Sequence, residues 1–214
     1  VNGGTLRAVS ADGTGVLDVR RGTNVVNAGL VDVDRLVLTN PGIASISAGN
    51  LSSNYITDAG PATPYPSTIS LSSGIGNITK MTVKLEGLTC LNPDAFDILL
   101  VSPAGQKVML MSDAGGFFPG ISNVSLTFDD AAASLLPDST NFSSGTYRPS
   151  DYGIGSPDIM PLPAPAGPYS TNLSSFNGIS PNGVWSLYIA GRFGSPSGAN
   201  SLLGWRLAIQ TSGG

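Results

Sequence analysis

Residues 97–112 read Asp97-Ile98-Leu99-Leu100-Val101-Ser102-Pro103-Ala104-Gly105-Gln106-Lys107-Val108-Met109-Leu110-Met111-Ser112, and this stretch decides the fold. Two apolar runs, 97–102 and 107–112, lie either side of a Pro-Ala-Gly punctuation. Each run is too short for a stable helix, and the Pro and Gly between them are turn formers. Outward from this pair, similar runs recur about every ten residues, at 67–71, 80–88, 124–128, 183–190 and 203–210. Regular short strands without helical periodicity predict a β-sandwich or jelly roll. A Pro-rich stretch, 157–168, separates the two halves.

Composition agrees. Of 214 residues, 41% are hydrophobic, enough to bury a core, and only 11% are charged. Globular domains usually carry about 25% charged residues. Turn-forming residues fill the difference. A net charge of −4, with basic residues scattered, argues against nucleic-acid binding. No run approaches the ~20 apolar residues of a helical membrane span, so membrane insertion is not expected. The chain is expected to be processed or excised from something longer, and to work outside the cell or at its surface.

The protein has no histidine, which rules out Ser-His-Asp and Cys-His nucleophile systems and every His-ligated metal site. Cys90 is the only cysteine, so no intramolecular disulfide forms; at the end of an apolar strand it reads as a small buried residue. Gly178-Ile179-Ser180-Pro181-Asn182 misses a nucleophile elbow by one position. An enzyme is not expected.

Residues 1–40 differ from the rest. Short β-branched runs between Gly and Asn resemble rungs of the β-solenoid repeats of bacterial surface proteins. One rung cannot bury its own apolar face, and about three stacked repeats are needed for stability. This arm therefore caps a longer solenoid, lies on the main domain, or pairs with another copy of the chain. Its self-association residues are Leu6, Val9, Val16, Leu17, Val19, Val25, Leu30, Val31, Val33, Leu36, Val37 and Leu38. Residues 41–66, ending in Gly60-Pro61-Ala62-Thr63-Pro64-Tyr65-Pro66, read as an extended linker, and 67–214 as the domain proper.

Six phrases in the domain carry a resemblance. They are Asp97 to Gly105, Leu126-Thr127-Phe128-Asp129-Asp130-Ala131-Ala132, Gly145-Thr146-Tyr147-Arg148-Pro149, Leu173-Ser174-Ser175-Phe176-Asn177-Gly178, Asn182 to Ile189, and Gly204 to Ile209. In this order they resemble the P domain of kexin- and furin-like proprotein convertases, in its free-standing bacterial secreted form. The resemblance implies a jelly roll of eight or nine strands with no catalytic residues of its own. It also implies that Trp185 and Trp205 are core residues. Relatives carry acids where this chain has Ala95 and, in the late strand, Ile189-Ala190-Gly191.

Thirteen of the fourteen acids are Asp, most beside turn residues where a short carboxylate bonds local backbone. The sharper reading is a calcium site built from Asp94, Asp97, Asp129 and Asp130; calcium takes 6–8 oxygens. No cofactor is required. Two functions fit these features. One is a structural subunit of an extracellular fibre, sheath or surface layer, self-associating through the arm. The other is an accessory module of a larger secreted protein, binding carbohydrate or acting with calcium.

Overall fold

A computed structural model describes residues 16–20, 35–40, 43–56, 59–72, 76–116, 119–153, 158–192 and 200–212. Leu6, Val9, Val25, Leu30, Val31 and Val33 lie outside these residues. The strands ahead of the domain are β1 (Val16–Arg20), β2 (Arg35–Asn40), β3 (Ile43–Asn50), β4 (Asn54–Tyr55) and β5 (Gly60–Pro61). Then come β6 (Ser67–Leu71), β7 (Ile78–Cys90), β8 (Phe96–Val101), β9 (Lys107–Ser112) and β10 (Ile121–Phe128). The last are β11 (Gly145–Tyr147), β12 (Ser150–Asp151), β13 (Gly183–Gly191), β14 (Ser201–Leu202) and β15 (Gly204–Ser212). The seven strands expected in the domain are β6 to β10, β13 and β15, with ends within three residues of those read from the sequence.

These strands form an all-β sandwich of two sheets. The larger runs β1-β2-β3-β15-β7-β10-β11, with β14 beside β7 and β4 beside β14. The smaller runs β12-β9-β8-β13, with β5 and β6 both paired to β13. The chain passes repeatedly from one sheet to the other, in the manner of a jelly roll. Alternation makes the core: β6 buries Ser67, Ile69 and Leu71 and exposes Thr68 and Ser70. Val83, Leu85, Leu126, Phe128 and Leu207 from the larger sheet meet Ile98, Leu100, Val108, Leu110 and Leu187 from the smaller.

Both tryptophans are in this core, as expected, and both indole N–H groups are satisfied. Trp185 Nε1 donates to the Pro181 carbonyl at 2.9 Å and Trp205 Nε1 to Ser67 Oγ at 3.0 Å. Phe176 meets Trp185 edge-on, with ring centroids 5.1 Å apart. Cys90 is buried, and burial pushes its thiol up to about 12, so it stays protonated and inert at neutral pH.

The smaller sheet has a third layer. On its outer face Leu99, Met109, Tyr188 and Ala190 pack against Met160 and Ala164 of the Pro-rich stretch, with Tyr65 and Tyr169 beside them. Tyr65 Oη donates to the Pro161 carbonyl at 2.8 Å, which ties this strap down. The covering explains why 98–101 reads as an unbroken apolar run: both faces of β8 are buried.

The segment 41–66 is a correction to the expected linker. β3 makes an eight-residue antiparallel ladder with β15, from Ile43↔Ser212 to Asn50↔Trp205. β4 and β5 are paired as well, and Pro61 sits opposite Ala190 at a sheet edge, where the missing amide is tolerated. Ala, Ser and Gly in Ile43–Asn50 hide the strand, which is held by backbone ladders to β15 and β2.

β2 pairs antiparallel with β3, so the described part of the arm continues the larger sheet of its own chain. β1 lies parallel to β2 at a constant offset of 35 − 16 = 19 residues, from Val16↔Arg35 to Arg20↔Thr39. Val16, Leu17 and Val19 are on β1; Leu36, Val37 and Leu38 are on β2.

Candidate functional site

Four strand ends meet at one end of the smaller sheet. β8 starts there after a 3-10 turn, Pro93–Ala95, and Asp97 is its second residue, opposite Ala190. β9 ends there at Ser112, followed by Asp113 with φ 49°. β12 runs parallel to β9 and sets Asp151 opposite Ser112. β13 ends there and is followed by Arg192, whose amide donates to the Ala95 carbonyl at 2.8 Å. Asp158 comes from the start of the strap.

These side chains surround one guanidinium. Arg192 Nη2 is 3.0 Å from Asp97 Oδ1 and also pairs with Asp113 Oδ1; Nη1 is 3.4 Å from Asp158 Oδ1. Ser112 Oγ donates to Asp97 at 2.7 Å and accepts from Arg192 Nη2 at 3.2 Å. Carboxylate oxygens of Asp113, Asp151 and Asp158 all lie within 4.8 Å of one another. Gly153 leaves them room: a Cβ there would stand 3.2 Å from Asp113 Oδ2 and 3.3 Å from Asp151 Oδ1.

Burial sets the electrostatics. Asp97, with 1% of its surface exposed, is pushed up to about 7 by desolvation, against the pull of Ser112 and Arg192. Desolvation also raises Asp94 and Asp158, helped by Asp113 and Asp151 respectively. Burial works against the Arg192 charge, but the bond to Asp113 and the surrounding carboxylates hold it above its ordinary value.

The four expected calcium ligands are not brought together. Asp129 is claimed by Lys80 Nζ at 2.9 Å and by the Ala131 amide at 2.9 Å. Asp130 accepts the amides of Leu173 and Ser174, both at 2.8 Å, and caps the 3-10 turn Leu173–Phe176. These two Asp follow β10 in the larger sheet, whereas Asp94 and Asp97 enter β8 in the smaller. Among the described residues, Asp113, Asp151 and Asp158 are the acidic trio with metal-ligand spacing. The sequence did not mark them or Arg192, because the fold gathers residues as far as 80 positions apart; the local signal was Asp113 just past β9 and Asp151 at the end of β12. A divalent cation held by the trio would share its carboxylates with Arg192.

Asp97 has a pH signature. Its folded pKa lies above the unfolded value of 3.8, so the native state binds more protons between those values, and stability falls as pH rises from about 4 to about 7. Asp97→Asn is expected to flatten that part of the stability–pH curve, by on the order of 1–3 kcal/mol across it. Urea unfolding at half-unit pH steps measures this. An unchanged slope in the variant would show that Asp97 does not titrate there.

The fold and this site define a two-sheet β-sandwich module with a charged cluster at one end of its smaller sheet. No family model and no curated protein matches the chain. Among solved structures, it is similar to the crystal structure of the serine protease of Aeromonas sobria, at 13% identity and a TM-score of 0.38, covering 83% of this chain. It is also similar to the complex of that protease with the chaperone ORF2, at 13% identity and a TM-score of 0.39, covering 84% of this chain. In both cases the match spans 27% of the other chain. At this level the likeness carries no functional conclusion.

Proposed function

We propose that the chain is a non-enzymatic structural subunit of an extracellular assembly, joined to further copies along the β1 edge of its larger sheet. One observation carries the reading: among the described residues the sheet continues beyond the sandwich through β3 and β2 to an edge at β1, a strand stacked in parallel. A strand edge offers unpaired amides and carbonyls in register for another strand. Parallel stacking is the rule by which solenoids grow. The P-domain resemblance of 67–214 supports a module without catalytic residues, and the low charge supports an extracellular setting.

Electron microscopy of the purified chain tests the proposal, with two paired proline variants. In a strand, alternate amides point to opposite sides, so one of Leu17→Pro/Val19→Pro and Asp18→Pro/Arg20→Pro removes only the outward donors of β1. Fibres or sheets from the parent, lost in that pair with the melting temperature kept, are the expected result. Isolated particles from the parent at every concentration would overturn the proposal.

The carboxylate trio favours the second reading, an accessory module acting with calcium or on polysaccharide. Isolated particles whose melting temperature rises with calcium and falls with chelator would support it.

A further inference from the structure

The strap across the smaller sheet holds a groove of about 560 Å³. Its floor is Met160 and Ala164, both buried, and its rims are Ile159 and Leu162, 86% and 89% exposed. These are the two most exposed large apolar side chains among the described residues. At the start of the strap Asp158 and Met160 are buried and Ile159 between them is exposed, so Met160 anchors the strap while Ile159 points away from it.

The groove is charged at one place. Asp158, its only acidic lining residue, belongs to the trio with Asp113 and Asp151, and Arg192 is the one cation reaching these carboxylates among the described residues. Negative charge is in excess there, and Asp151 is exposed. Where Ala166 and Tyr169 line the groove, Lys107 Nζ donates to the Ala166 carbonyl at 2.6 Å and lies 5.9 Å from the Tyr169 ring centre. The groove thus pairs an apolar rim with exposed Asp151 beside its buried Asp158 end, and Lys107 marks the other end.

The geometry points to a docking groove for a polypeptide segment that carries aliphatic side chains followed by Lys or Arg. The aliphatic side chains lie between Ile159 and Leu162, covering apolar surface that faces water in the free protein. The basic residue meets the exposed carboxylate of Asp151, which lies within 4.8 Å of buried Asp158, the complementary charge. This surface is on the smaller sheet, away from the β1 edge, and its test does not depend on assembly.

The probe is the fluorescein-labelled hexapeptide Gly-Leu-Ile-Lys-Arg-Gly, read by polarisation at low salt. Controls are Gly-Leu-Ile-Glu-Glu-Gly and Gly-Ser-Ser-Lys-Arg-Gly. The parent is expected to bind the probe with a Kd below about 1 mM and each control at least about tenfold more weakly. Ile159→Ser/Leu162→Ser replaces solvent-facing side chains, leaves the core intact and should weaken the probe about tenfold. Asp151→Asn should weaken it about threefold and reduce its salt dependence. Equal binding of the acidic control, unchanged binding by both variants, or no binding at 1 mM peptide would each overturn the proposal. So would a dimer of the parent that Ile159→Ser/Leu162→Ser dissolves, since the rim would then be an interface between copies.

Discussion

Arg192→Met is expected to destabilise the protein by about 3 kcal/mol at pH 8, with the loss shrinking as the pH falls towards 5. The guanidinium is bonded to Asp97, Asp113 and Asp158, and no other cation among the described residues reaches them. Removing it leaves the buried Asp97 carboxyl bonded only by Ser112, so at pH 8 it either stays ionised without a cation or takes up a proton at a cost. Methionine keeps most of the side-chain volume, so the change isolates the charge. With Arg192 present, Asp97 already stands at about 7. Without it the carboxyl rises further, so the variant's stability keeps falling with pH over a window that extends above 7. At pH 5 Asp97 is protonated in both proteins, and its share of the difference disappears. Urea unfolding at pH 5 and pH 8 decides the matter: an equal loss at both values would mean that Arg192 acts through packing and not through charge.

Trp205→Ala is the second large effect, expected at about 3–5 kcal/mol, the range for a large aromatic truncated in a core. Trp205 has no exposed surface and sits on β15, the strand between β3 and β7 in the larger sheet. The substitution opens a cavity and removes the donor to Ser67, itself buried. Trp205→Phe should recover more than half of the loss, because the ring packs again and only the indole bond is missing. Equilibrium unfolding of the three proteins tests this. If alanine and phenylalanine were equally destabilising, the hydrogen bond to Ser67 and not the packing would carry the effect.

Strands of the domain were legible wherever side chains alternate or form short apolar runs, because burial on a pleated sheet imposes that pattern. The run 97–101 showed a strand but not that its outer face is covered; the strap arrives from sixty residues downstream. Ile43–Asn50 was illegible as a strand, since its Ala, Ser and Gly side chains declare nothing and its partner is β15, at the other end of the chain. The P-domain resemblance placed both tryptophans correctly. The calcium set failed for a related reason: Asp129 and Asp130 have the composition of ligands, but the fold gave them Lys80 and two backbone amides as partners.

By itself, then, the sequence determined the all-β class, the seven main strands, the two core tryptophans and, through the absence of histidine, that no His-dependent nucleophile or metal site is present. These are local properties, written in periodicity and composition. Only the tertiary structure decided that Asp97, Asp113, Asp151 and Asp158 share one end of a sheet with Arg192, and that β1 to β3 extend the larger sheet. Both depend on which strands pair, and pairing is set by long-range backbone hydrogen bonds that leave no mark on the spacing of side chains.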